Sequence, residues 1–236
     1  MDIEADRALG PGRIGFATAA VGYPGRMDPH TVARKLLRSA GGTYAAEAGI
    51  RMKNTPMPLF ELLVLCMLAS KPIDAAIAMR AARELFGSGV RTPQTVLAAE
   101  RREVIAAFGR ARYVRYDESS ATRLVDLATA VGDRYRGDLR RLADRADGDV
   151  GTAARLLQQF TGIGATGAGI YLREVQDVWT WVRPYFDDRA LTAARRLGLP
   201  TDPVELAALA PRRTAGLAAA LVRAHLDESV YDRIAG

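Results

Sequence analysis

Apolar residues recur at helical spacing along most of the chain, and capping residues punctuate them. Asp28-Pro29 reads as an N-cap followed by proline at the first helical position, after which Val32, Leu36 and Leu37 fall on one face. Pro56 and Pro58 open a second helix over Leu59–Ser70 that is apolar nearly all round, which predicts a central, buried element. Pro72 interrupts it, and an Ala-rich helical period then runs over Ile73–Phe86 to a stop at Gly87-Ser88-Gly89. Thr92-Pro93 caps a short helix, Arg101–Phe108 is another, and Glu118–Tyr135 is a longer one with Leu124, Leu127 and Ala128 inward. After a turn at Asp147-Gly148, Ala153, Leu156, Leu157 and Phe160 mark a helix that ends at Thr161-Gly162. A further helix follows Gly164, a connector covers Trp179–Phe186, and three more helices run from Asp187/Asp188 to Leu197, over Asp202–Leu209 and over Arg212–Leu226. No alternating β-branched run bounded by turns appears anywhere, so the expected fold is all-α, with about ten helices. Residues 1–27 mix Gly and Pro without a sustained period and read as a loosely docked arm.

Composition adds less than pattern. With 236 residues, 49% of them hydrophobic and 25% charged, the chain has material for a sizeable core without metal or disulfide support. A single cysteine, Cys66, allows no intramolecular disulfide and no Cys cluster for zinc or iron–sulfur, which fits a reducing, cytoplasmic setting. The densest apolar stretch, Leu59–Ala69, is too short to span a membrane and carries Glu61. The net charge of +6 comes from arginine, since only Lys35, Lys53 and Lys71 are lysines, and such an excess favours polyanionic partners through guanidinium–phosphate forks and counterion release.

Candidate chemistry gathers in FTGIGATGAGIYL, residues 160–172, where Gly162, Gly164 and Gly167 are spaced as G-x-G-x-x-G. A dinucleotide loop with that spacing leaves a strand and enters a helix, whereas here a helix precedes the first glycine and no βαβ unit surrounds it. The order helix, then hydrophobic-x-Gly-hydrophobic-Gly, then a helix opening on small residues is that of a helix-hairpin-helix. Its Gly162-Ile163-Gly164 turn would present the backbone N–H groups of Gly164, Ala165, Thr166 and Gly167 at a helix N-terminus, where a DNA phosphate is held without regard to sequence. The plainer alternative is that the glycines only turn one helix into the next and let helices pack closely.

Pro58–Asp74, PLFELLVLCMLASKPID, and the hairpin followed some two dozen residues later by Asp187-Asp188 resemble the helix-hairpin-helix–Gly/Pro–Asp DNA glycosylase superfamily, over about Pro58 to Leu199. Gly162-Ile163-Gly164, Gly167, Tyr171, Trp179, Val182 and Pro184 are similar to the methyl-CpG-binding mismatch glycosylases, whereas Asp187-Asp188 with an apolar residue three positions on resembles the alkylbase glycosylases. The resemblance implies a two-lobed fold: the arm of residues 1–27, a central domain over 56–172 with the hairpin, and a second lobe of 28–55 plus 173–236 carrying the catalytic aspartate. Bent duplex with a flipped nucleotide would lie between the lobes. It further implies hydrolytic removal of a damaged or mispaired base from double-stranded DNA by a monomer. The carboxylate beside C1′ would be Asp188, placed as the N-cap with Leu191 at its third helical position, or Asp187, which keeps the spacing to Leu197-Gly198-Leu199. Either aspartate could instead serve only as a cap.

Thr166 stands where bifunctional relatives carry a Schiff-base lysine, so no strand-cleaving lyase step is expected. Lys71 stands where a gap-filling glutamine is found in relatives of endonuclease III, and Cys66 where adenine-excising relatives need a carboxylate. No cysteine follows Leu226, so the iron–sulfur cluster of endonuclease III is not expected. No other cofactor is expected either, apart from the monovalent cation that the family often holds at the hairpin. Tyr116 and Trp179, at connectors, are the candidate aromatic walls for an extruded base. The rival of a different class is a non-catalytic DNA-binding protein that keeps only the hairpin.

Overall fold

A computed structural model of the chain describes residues 27–236; the arm expected over residues 1–27 lies outside them apart from Met27. Asp28 opens α1 (Pro29–Ala40) by accepting the Thr31 N–H at 2.9 Å, and the face bearing Val32, Ala33, Leu36 and Ala40 is buried. A single turn, α2 (Tyr44–Glu47), follows. α3 (Pro56–Ala69) has no polar face, and every residue from Pro58 to Leu68 is buried, Glu61 among them. Around it stand α4 (Ala75–Gly87), capped by Asp74, α5 (Pro93–Ala98), capped by Thr92, α6 (Arg101–Arg110) and α7 (Asp117–Tyr135). α8 (Arg140–Ala146) and α9 (Val150–Leu157) pack on each other and lead into the hairpin.

α10 (Ala165–Val175) is the element shared by the rest. It packs on α3 and α9 on one side and on α13 (Thr214–Leu226) on the other. α13, buried along Thr214–Val222, is in turn surrounded by α1, α11 (Asp188–Arg196) and α14 (Glu228–Ala235), with α12 (Pro203–Ala208) joining α11 to α13. Residues far apart in sequence are thereby brought together. Arg223 of α13 donates to the carbonyls of Ala40 and Gly42, pairs with Glu47 at 2.6 Å and lies 4.3 Å from the Tyr44 ring.

The described residues contain helices and no strand, as the periodicity predicts. Three helices had not been expected: α2, α8 and α14. Each is too short or too polar to show a repeat; α8 buries only Leu142 and Ala146, and α14 only Val230 and Ile234, one turn apart. The helix before the hairpin also stops at Leu157, short of the expected Thr161-Gly162, and turns and a bend occupy Gln158–Gly162 instead.

Candidate nucleic-acid interface and its carboxylates

The three glycines of the hairpin do three different things. Gly162 has φ +90°, a backbone state that L side chains rarely adopt, and a Cβ there would approach Cδ of Arg123 at 3.1 Å. Ile163 turns inward, 3% exposed, and anchors the loop. Gly164 is the N-cap of α10, with φ −91° and ψ −168° and no side-chain cap, and a Cβ there would meet nothing within 4 Å. Gly167 faces α3: its Cβ would lie 2.6 Å from Oγ of Ser70, which donates to the Cys66 carbonyl, and 3.3 Å from Ile163. Close helix packing therefore accounts for Gly167 and turn geometry for Gly162, while Gly164 is spared a side chain on its open side only. Around it lies a shallow concavity of about 550 Å³ lined by Gln158–Gly167 and Ser70, into which the uncapped N-terminus of α10 opens.

The aspartates arrive through a connector held from behind. Gln176, fully buried, donates from Nε2 to the carbonyls of Tyr185 (2.9 Å) and Arg173 (3.0 Å) and accepts the Tyr185 N–H on Oε1 (3.0 Å). This amide clamp fixes the chain two residues before Asp187. Asp187, not Asp188, is the N-cap of α11: its backbone is extended (φ −74°, ψ 168°) and its Oδ1 accepts the Ala190 N–H at 3.0 Å. The inward face of α11 is accordingly Ala190, Ala193 and Ala194, with Leu191 half-buried. The expectation that Asp188 caps the helix is corrected: it is the Asp187 carboxylate that accepts the Ala190 N–H, and the buried face of α11, which packs on α13, is Ala190, Ala193 and Ala194 rather than one led by Leu191.

Asp187 Oδ2 also accepts from Nη1 of Arg173 at 2.5 Å. Arg173, 3% exposed, lies 3.4 Å through Nε from Glu174 Oε1 and 5.1 Å from the Tyr44 ring centroid. Glu174 in turn accepts the Ala45 N–H on Oε2 at 2.9 Å. One guanidinium thus serves two carboxylates, leaving a net charge of −1 when all three are ionised. Burial opposes the charge on Arg173, but the Glu174 and Asp187 carboxylates outweigh it and raise its pKa further, so the guanidinium stays protonated. Burial pushes the Glu174 carboxyl up, against the pull of Arg173. Asp188 sits at the first helical position of α11, exposed, with no side-chain partner among the described residues.

Two adjoining depressions connect the hairpin with this cluster. One, of about 370 Å³, is lined by Ala165 and Thr166 of the hairpin helix and by Asp187, Asp188 and Arg189 across from them. The other, of about 400 Å³, reaches from Thr166 to Lys71 and Tyr44, and the two share Thr166, Ile170, Arg173 and Arg189. Tyr116 is half-buried beside this second depression's Lys71, whose Nζ lies 5.5 Å from the ring centroid; Arg115 lies 5.4 Å from the same ring. Trp179 is elsewhere. It is buried, donates its indole N–H to Asn54 at 3.0 Å and stacks on Trp181 at 5.7 Å, on a surface shared with Arg140 rather than with the aspartates. Its expected place as a cleft wall is corrected: a connector residue that finds an aromatic neighbour and an amide acceptor packs as core.

Cys66 is fully buried and burial lifts its thiol well above the usual range, which makes it inert. Among the described residues no group of three or more His, Cys, Asp or Glu gathers to hold a metal ion, and no helix is long and apolar enough to cross a membrane. Sequence reasoning missed Arg173, Glu174, Gln176 and Tyr44. The signal available was three polar residues in four positions, Arg173-Glu174 and Gln176 about Val175, continuing an apolar helix where a buried face was due. Compared with protein-family models, curated proteins and solved structures, the chain matches none of them.

Proposed function

We propose that the protein is a monofunctional DNA glycosylase that hydrolyses the N-glycosidic bond of a damaged or mispaired base. The observation that carries the reading is the depression in which Ala165 and Thr166, on the uncapped first turn of α10, face Asp187 and Asp188. A phosphate held by the hairpin N–H groups would bring the neighbouring deoxyribose to the carboxylates. Lys71, Arg115 and Arg189 add positive charge along the same side.

Asp187 takes the catalytic role in this reading. A carboxylate that stabilises charge developing at C1′ works best when its position is set beforehand, and Asp187 is fixed by both the Ala190 N–H and Arg173. The Asp187 carboxylate, which lines the depression, suits an oxocarbenium-like transition state. The bond from C1′ to the base nitrogen breaks with its electron pair leaving on the base. A water oxygen bonds to C1′, and its proton passes to a carboxylate, from which the departing base can be protonated. Thr166 offers no amine, so no imine forms on the enzyme. The carbonyls of Thr161, Gly162 and Ile163 accept no hydrogen bond among the described residues, which leaves oxygen donors for the monovalent cation that the resemblance allows.

The test is release of base from duplexes carrying uracil, a thymine mispair, hypoxanthine or alkylpurines, scored as abasic product. Asp187→Asn is expected to abolish release while retaining DNA binding, with Asp188→Asn keeping most of it. Binding without release from any substrate would favour the non-catalytic DNA-binding protein, and loss confined to Asp188→Asn would move the chemistry to that residue.

A further inference from the structure

The depression of about 400 Å³ beside the aspartates has walls that offer hydrogen-bond donors and positive charge but no carboxylate, amide or imidazole. Its apolar surfaces come from Leu65, Ile170 and Val222 and, at the rim, Leu226, 55% exposed. Its polar groups are the Tyr44, Ser70 and Thr166 hydroxyls, the Lys71 ammonium and the Arg173 and Arg189 guanidiniums. Arg173 is 3% exposed, and its charge is held by Glu174 and Asp187, neither of which lines this depression. Its Nη2 group takes no hydrogen-bond partner among the described residues. The Ser70 hydroxyl proton is already committed to the Cys66 carbonyl.

From this donor set we infer that the depression receives a neutral base bearing carbonyl oxygens and rejects purines made cationic by alkylation. The inference rests on the glycosylase reading and adds the substrate class to it. A carbonyl oxygen can accept from Arg173 Nη2, from Lys71 or from Arg189. A ring carrying a delocalised positive charge would sit beside Lys71 and Arg189, neither of which has a carboxylate partner among the described residues, whereas the charge of Arg173 is already offset by Glu174 and Asp187. Like charges brought together in a partly desolvated site should weaken binding by about tenfold or more, equivalent to about 1.4 kcal/mol or more.

The experiment uses duplexes in which the candidate nucleotide carries a 2′-fluorine, which disfavours positive charge at C1′ and so blocks cleavage; binding is then read without turnover. Fluorinated deoxyuridine mispaired with guanine, fluorinated deoxyinosine and fluorinated 7-methyldeoxyguanosine are compared with an undamaged duplex by anisotropy at one salt concentration. The uracil or hypoxanthine probe is expected to bind at least about tenfold tighter than the 7-methylguanine probe. Arg189→Glu, an exposed change at the shared rim, is expected to narrow that ratio. Equal or tighter binding of the cationic probe, or a ratio unmoved by Arg189→Glu, overturns the inference and leaves the glycosylase reading standing. Failure to distinguish any probe from undamaged duplex, together with no base release from the unfluorinated substrates, overturns the glycosylase reading itself.

Discussion

Gly164→Ala separates a hairpin that grips phosphate from one that merely turns the chain. At φ −91° and ψ −168° alanine is unstrained, and its methyl group would enter open space. Two small terms oppose each other. Alanine is a poorer N-cap than glycine, roughly 0.5–1 kcal/mol by the ranking of cap residues. Restricting the unfolded chain returns about 0.4–1 kcal/mol. The net change in stability should stay within about 0.5 kcal/mol, which for a chain of this size moves Tm by roughly 2 °C or less. A phosphate approaching the N–H groups of the first turn, however, would meet that methyl. Losing one charge-assisted hydrogen bond costs about 1.5–3 kcal/mol, so Kd for duplex DNA should rise roughly 10–150-fold. The assay is anisotropy on a duplex with an abasic analogue at fixed ionic strength, paired with urea unfolding of the same preparation. Unchanged stability with Kd within twofold of wild type would refute the phosphate contact and leave the hairpin as a turn.

Gly162→Ala should behave in the opposite way, losing about 1–2 kcal/mol in urea unfolding because its φ of +90° forces alanine into a strained region. On undamaged duplex, where no base enters the depression, Lys71→Ala should weaken binding uniformly across sequences and lower the slope of log K against log salt by about one, read from a salt titration. Glu61 is 1% exposed with Oε2 unpartnered among the described residues, while its partner Arg91 is 41% exposed and can turn to water. Glu61→Leu should therefore stabilise the protein by about 1 kcal/mol at neutral pH. Burial raises the Glu61 pKa, so the folded state holds the proton more tightly than the unfolded state does. The cost of its charge is complete above the folded pKa and is relieved as pH falls from there towards the ordinary carboxylate value, so the advantage of leucine should shrink over that interval.

The helical class was legible because an all-round apolar stretch such as Leu59–Ala69, or capped periods such as those after Asp28 and Thr92, are properties of consecutive residues. The turn was legible for the same reason, since Gly162, Ile163 and Gly164 are adjacent and the φ of +90° at Gly162 is a local backbone state, whereas Gly167 answers to Ser70 at the end of distant α3. What stood outside local reach was every choice made by a partner distant in sequence. Asp187 and Asp188 are equivalent as neighbours, and what distinguishes them is Arg173, fourteen residues away, which pairs with Asp187 while Asp188 stays exposed. Trp179 reads as a cleft residue until Asn54 and Trp181 take it into the core. The sequence by itself determined the helices, their caps and the hairpin, since short-range backbone sterics and periodicity fix these. The tertiary structure alone decided which charges share Arg173 and which walls face the aspartates, because ion pairs and cavities are set by α10 lying between α3 and α13.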